Sequence, residues 1–134
     1  MSLAEAAVKT KEDVESLEKL IGQLKSLHAE ITALAKKSPS DAVNLFKIKL
    51  INKVLELGNR ILGDQYRPFQ DFLVFDGDDM PSTSDVALVL GQYIEEAERF
   101  RSDHVIMDAG LWYYKIGGRK SDIRSGPPSK IGRK

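Results

Sequence analysis

The sequence predicts a mainly α-helical protein, in which a long antiparallel αα-hairpin and a third helix form a helical bundle. A short C-terminal β-hairpin and a flexible basic tail complete the predicted fold. Two long segments repeat large apolar residues at alternating steps of three and four, which is the period of one helix face. Only a short turn separates these segments, so the two helices must run antiparallel. Near the C-terminus the apolar period falls to about two, which is typical of strands.

The chain has 134 residues, which is room for one domain. Residues 1–12 carry no pattern that closes a core and are expected to fray, whereas residues 13–116 are expected to form a single helical domain with a terminal β-hairpin. Residues 117–134 are rich in Gly, Pro and Ser, and predict a basic flexible tail. Cysteine is absent, which excludes disulfides, thiolate metal sites and thiol nucleophiles.

The first predicted helix begins at about Asp13 and carries an apolar stripe wider than a single neighbouring helix covers. A third helix could fill the excess, but a second copy of the chain would fill it without any new element. We therefore expect a homodimer, formed through the helical hairpin. Its predicted interface is Leu17, Leu20, Leu24, Leu27, Ile31 and Leu34.

The second helix is predicted to start at Ser38, with Pro39 in its first turn, and to run to about Leu62, where Gly63 would end it. An irregular connection, residues 64–82, follows and holds several aromatic residues that predict packing over the core. The third helix is predicted from the capping residues at 81–85 to about Arg101.

Two apolar runs, residues 104–107 and 111–116, predict the strands of the β-hairpin. They are separated by Asp108-Ala109-Gly110, a sequence suited to a tight turn. A hairpin of two strands is marginally stable alone, so it must dock on the helices or on another chain.

The formal net charge of zero is a cancellation between segments of opposite sign. Residues 1–63 hold ten basic and eight acidic side chains. Residues 64–108 hold three basic and eleven acidic side chains, and residues 109–134 hold seven basic side chains and one acidic side chain. A basic end of this kind attracts an acidic partner, which is either nucleic acid or the acidic middle of the protein itself. The nucleic-acid contacts predicted under the first reading are Arg119, Lys120, Arg124, Lys130, Arg133, Lys134 and Trp112.

No catalytic residues, metal ligands or cofactors are predicted. His28 lies within an apolar helix face, and His104 has no nucleophile of a recognisable pattern beside it. The aspartates of residues 76–79 do not match an EF-hand loop, so a solvated turn is the favoured interpretation. A small ligand-binding domain or enzyme with an acidic site near residues 71–79, assisted by Tyr66 or Arg67, is the third functional alternative.

The sequence therefore predicts a cytoplasmic, non-enzymatic protein-interaction or assembly module, homo-oligomeric through its helical hairpin. Nucleic-acid binding through the basic tail is the second choice. No uncharged stretch approaches the ~20 residues of a membrane-spanning helix, so no membrane contact is expected.

Overall fold

A computed structural model describes residues 7–132 of the chain. Within these residues three α-helices precede a three-stranded antiparallel sheet at the C-terminus. The predicted mainly α fold with a C-terminal β-hairpin is confirmed at this level. The elements are α1 (Lys11–Lys37), α2 (Leu45–Tyr66), α3 (Thr83–Ser102), β1 (Val105–Asp108), β2 (Leu111–Ile116) and β3 (Arg119–Arg124).

Helix α1 begins at a capping box two residues earlier than predicted. The Asp13 amide donates to Thr10 Oγ1 at 3.1 Å, and the Thr10 amide donates to the Asp13 carboxylate at 3.1 Å. Just before this cap, Val8 is buried and its carbonyl accepts the Gly117 amide at 2.8 Å. Residues 8–12, expected to fray, instead form a helix start and a contact next to the sheet. Residues 1–6 of that predicted segment lie outside the described part of the chain.

The connection between α1 and α2 is longer than predicted. Ser38 caps the C-terminus of α1 rather than the N-terminus of α2, which is capped by Asn44 through the Lys47 amide at 2.9 Å. Residue Ala42 forms a β-bridge with Ser82 in the segment ahead of α3. This pairing supplies the backbone hydrogen bonds that a helical turn would otherwise make, so α2 starts later.

Helix α2 passes through Gly63 and continues to Tyr66. Gly63 has φ 62° and ψ −171°, a conformation that is open essentially only to glycine. The predicted helix end at Gly63 is therefore a kink, after which Tyr66 is fully buried with its ring 5.0 Å from that of Phe100 on α3.

The helices share one hydrophobic core, in which α1 makes its most extensive contacts with α3 and less extensive ones with α2. This arrangement covers most of the wide apolar stripe of α1 within a single chain. The buried apolar side chains are Val8, Val14, Leu17, Leu20, Leu24, Ile31, Val43, Ile48, Ile51, Val54, Leu55, Leu62, Tyr66, Val86, Leu90, Tyr93, Ala97, Phe100, Val105 and Tyr114.

Two asparagines of α2 hold the irregular connection between α2 and α3. Asn52 Nδ2 donates to the Phe75 carbonyl at 2.8 Å, and the Phe75 amide donates to Asn52 Oδ1 at 2.9 Å. Seven residues later, about two helical turns on, Asn59 donates to the Leu73 carbonyl at 2.9 Å and accepts the hydroxyl of Tyr93 at 2.6 Å. Burial raises the pKa of Tyr93 to about 12, although the Asn59 hydrogen bond and the nearby Arg67 act to lower it.

The sheet has the order β1-β2-β3, and Val105 pairs with Tyr114 across the predicted hairpin. Tyr114 is buried, and its hydroxyl donates to Glu18 of α1 at 3.3 Å. Burial raises the pKa of Tyr114 to about 12. Strand β3 is an addition to the prediction, since residues 119–124 were expected in the flexible tail. The predicted boundary at residue 117 falls between two paired strands.

Residues 125–132, which we call the C-terminal strap, follow β3 and lie along α3. Arg101 of α3 donates to the carbonyls of Gly126 and Pro127 at 3.0 and 2.9 Å, and Lys130 forms an ion pair with Glu95 at 2.6 Å. The expected flexible tail is thus in contact with the acidic side of α3, because that helix offers both hydrogen-bond donors for the backbone and carboxylates for the lysine.

No helix in residues 7–132 combines the length and the apolar character needed to cross a membrane.

Candidate functional site

The residues predicted as an oligomer interface belong largely to the core of the single chain. Leu17, Leu20, Leu24 and Ile31 are buried against the other elements of the same chain, and Leu27 is partly buried against them. Leu34 is 36% exposed. In the single chain, the seam that was predicted to face a second copy therefore faces α3 and α2.

An apolar surface does remain uncovered, on the side of α1 and α2 away from α3. Phe46 and Leu50, one helical turn apart on α2, are 69% and 40% exposed. They line adjoining hollows with Leu27 of α1, and the larger hollow, of about 430 Å³, extends to Leu57. We call this surface, with Leu27, Phe46, Leu50 and Leu57, the hairpin groove.

The rim of the hairpin groove is basic at one end. Lys19 and Lys53 line the larger hollow, and neither forms an ion pair with a residue in the range 7–132. At the other end Lys47 is 3.4 Å from the Glu30 carboxylate, so this pair is neutral. The groove therefore combines apolar side chains with an uncompensated positive rim.

Two of the predicted nucleic-acid contacts meet on the outer face of the sheet. Lys120 Nζ lies 4.4 Å from the centre of the Tyr113 ring, and the Arg124 guanidinium lies 5.8 Å from it. Lys115 is the cross-strand partner of Lys120. Sequence reasoning chose Trp112 as the aromatic contact, but Tyr113 is the residue that lies among the cations. Strand alternation was the signal that could have identified Tyr113. Successive side chains of a strand point to opposite faces, so Tyr113 faces outward when its neighbour Tyr114 is buried.

The other predicted contacts lie elsewhere. Trp112 is partly buried against the core, Arg119 pairs with Ile116 at the end of the sheet, and Lys130 is bound to Glu95 on α3. Lys120 itself lies 3.5 Å from the Asp108 carboxylate. Arg133 and Lys134 lie outside the described residues. Among residues 7–132, the predicted basic contacts thus do not form one continuous surface.

The acidic segment near residues 71–79 ends in a short capped turn. The Asp76 carboxylate accepts the Asp78 amide at 2.9 Å at the start of a short 3₁₀ turn, Gly77–Asp79. Arg67 forms an ion pair with Asp64 at 3.1 Å, and the Tyr66 hydroxyl donates to Asp103. Among residues 7–132, no group of three or more histidine, aspartate or glutamate side chains is placed to hold a metal ion.

Both histidines are packed against residues of α3. His104 is buried, its Nδ1 lies 2.7 Å from the Phe100 carbonyl, and its ring stacks on that of Phe100 at 4.3 Å. His28 is half-buried beside Gly91 in the hollow between α1 and α3.

Comparisons of the chain with models of protein families, with curated proteins and with solved structures found no match. The assignment of a function therefore rests on the surfaces of the chain itself.

Proposed function

We propose that the protein is a non-enzymatic interaction module that docks an amphipathic helix of a partner protein in the hairpin groove. The observation that carries this proposal is the exposure of Phe46 and Leu50 next to Leu27. Neighbouring exposed apolar side chains of this kind are characteristic of interaction sites, and a groove between two helices accepts a third helix. The predicted antiparallel arrangement of α1 and α2 within a bundle supports the proposal, since it gives the groove the length of several helical turns.

The charge of the groove favours an acidic partner over a second copy of the chain. Lys19 and Lys53 at the rim would pair with glutamate or aspartate residues flanking the apolar face of a partner helix. A second copy docked by the same groove would instead bring two further lysines to this surface. Homodimerisation through the hairpin, the expectation from the sequence, is therefore an outcome that the test below must distinguish.

The test is a titration with a synthetic 18-residue peptide of leucine and glutamate, designed to form a helix with one leucine face. Phe46→Glu should weaken binding of this peptide at least tenfold, because it places a charge where a leucine would be buried. Phe46 is 69% exposed, so the variant should keep the stability of the parent protein. Calorimetric titration measures the affinity, and urea unfolding measures the stability.

Leu88→Glu is the matched control, since Leu88 on α3 is 63% exposed and does not line the groove. Equal peptide affinity for the Phe46→Glu and parent proteins would refute helix docking in the groove. A species of twice the 15.0 kDa chain mass in light scattering, lost in Phe46→Glu, would assign the groove to a second copy instead.

Nucleic-acid binding is a second candidate function, and it is supported by the cluster of Tyr113, Lys120 and Arg124. An aromatic ring among cations suits single-stranded nucleic acid, where bases stack and phosphates pair with the charges. Lys120→Glu should then weaken binding of a single-stranded oligonucleotide about fivefold to tenfold at low salt, as measured by fluorescence anisotropy. Lys49→Glu, an exposed site on α2, is the control. Absence of oligonucleotide binding at low salt would remove this candidate.

A further inference from the structure

The C-terminal strap is held on α3 by contacts that recognise its main chain. The Arg101 guanidinium donates to two successive carbonyls, those of Gly126 and Pro127, at 3.0 and 2.9 Å. The same guanidinium is oriented by the Glu98 carboxylate at 3.2 Å. One arginine therefore fixes the path of the strap where it leaves the sheet.

The next residue of α3 continues this pattern. Ser102 Oγ accepts the amides of Ser129 and Lys130 at 3.1 and 3.3 Å. Further along, Arg99 Nε donates to the Ile131 carbonyl at 3.0 Å. Carbonyls and amides of an extended chain are thus bound in turn, which is how proteins recognise extended peptides of varied sequence.

Two side chains of the strap are also recognised. Lys130 Nζ lies 2.6 Å from Glu95 Oε1, and Ser129 Oγ donates to Glu98 Oε2 at 2.9 Å. The hydrogen bond from Lys130 holds the pKa of Glu95 below its usual range. Burial acts to raise the pKa of Glu98, but hydrogen bonds from Arg101 and Ser129 outweigh it and hold the pKa low. Both carboxylates are therefore charged, and Glu95 binds the lysine of the strap in addition to Arg99, which lies 3.6 Å away.

The strap contributes no apolar anchor to this surface. Pro127 and Pro128 are exposed, and Ile131 is 88% exposed. The hydrogen bonds and the ion pair that hold the strap are exposed or only partly buried, and each contributes modest stability, so a partner segment can compete with the strap. Beside it, a hollow of about 500 Å³ between α1 and α3 reaches down to Ile94 and is left unfilled by the strap.

We propose that this surface of α3 is a binding site for an extended, lysine-bearing segment of a partner protein, which displaces the strap. We call it the strap site, and it consists of Glu95, Glu98, Arg99, Arg101 and Ser102. The charge complementarity between its carboxylates and a lysine selects the class of partner, and the unfilled hollow provides room for an apolar side chain that the strap lacks. The strap itself occupies the site in the absence of the partner. This site is separate from the hairpin groove, and neither proposal depends on the other.

The probe is a fluorescent synthetic peptide with the sequence of residues 125–132, added to the full-length protein. Lys130→Glu in the protein should raise the affinity for the peptide about fivefold, because the strap is repelled by Glu95 and competes less. Glu95→Lys should lower the affinity at least tenfold, as should replacing the lysine of the peptide by glutamate. Fluorescence anisotropy measures the affinities, and amide exchange at Ser129 and Lys130 reports whether the strap has been released.

Lys49→Glu is the control, since Lys49 is exposed on α2, away from the strap site. It should leave the affinity for the peptide unchanged. The proposal is overturned if the peptide fails to bind Lys130→Glu while amide exchange shows that its strap is released. Equal affinities for Lys130→Glu and Glu95→Lys would overturn it as well.

Discussion

Truncation of Leu24 to alanine should lower the free energy of unfolding by about 2–5 kcal/mol. Leu24 is fully buried between α1 and the other elements of its own chain. Removal of three carbons from such a position loses their transfer free energy and leaves a cavity that neighbouring side chains fill only in part. Urea unfolding followed by circular dichroism measures the loss.

The dependence of this loss on protein concentration separates the core from a subunit interface. If Leu24 is buried within one chain, the urea midpoint of the Leu24→Ala variant is the same at protein concentrations that differ tenfold. If Leu24 is buried between subunits, the midpoint changes with protein concentration. Leu34, from the same predicted interface, is 36% exposed, and Leu34→Ala should cost less than about 1 kcal/mol. A urea midpoint for Leu24→Ala that rises with protein concentration would place Leu24 in an oligomer interface.

Replacement of Asn59 by leucine should lower the free energy of unfolding by about 2–4 kcal/mol, although leucine is more apolar. Asn59 is buried and bonded both to the Tyr93 hydroxyl on α3 and to the Leu73 carbonyl. Without the amide these two polar groups lose their partner, at a cost of about 1–3 kcal/mol for each group that stays buried. Thermal and urea unfolding both measure this loss.

The Tyr93→Phe variant provides the control for Asn59. If the loss arises from unpaired groups, the double variant Asn59→Leu/Tyr93→Phe should cost less than the sum of the two single variants. Strictly additive costs would mean that the hydrogen bond between Asn59 and Tyr93 contributes nothing, and would contradict the prediction.

Much of the secondary structure could be predicted from local patterns. The three-and-four spacing of Leu17, Leu20 and Leu24 requires one helix face whatever the rest of the chain does. The period-two run of β2 and the turn at Ala109 and Gly110 are equally local, and both turn residues have positive φ. These features depend on side chains within a few residues of one another, so they can be predicted from the sequence.

The predictions of the α2 start and of the tail were wrong because a segment distant in sequence makes the deciding contact. Ser38 and Pro39 suited a helix start, but the bridge between Ala42 and Ser82 keeps residues 39–44 out of the helix. Residues 119–124 lack large apolar side chains other than Ile123, yet they form β3 because β2 offers an unpaired edge. Backbone hydrogen bonds with a segment distant in sequence cannot be predicted from the types of the neighbouring residues.

The candidate sites divide in the same way. The exposed Phe46 and Leu50 belong to an apolar face that the sequence shows, but only the packing of α2 on α1 and α3 decides which part of that face stays uncovered. Asn52 and Asn59, seven residues apart on α2, show their role only once Phe75 and Leu73 lie against them.

The sequence by itself determined the helical periodicity, the strand-like end and the division of charge into a basic start, an acidic middle and a strongly basic end. Only the tertiary structure decided what those charges contact. Lys130 binds Glu95, Lys120 lies near Asp108, and Arg101 binds the backbone of the strap. The physical reason is that periodicity and charge are properties of single segments. The partner of an exposed charge or an apolar face is set by which segments meet when the chain folds.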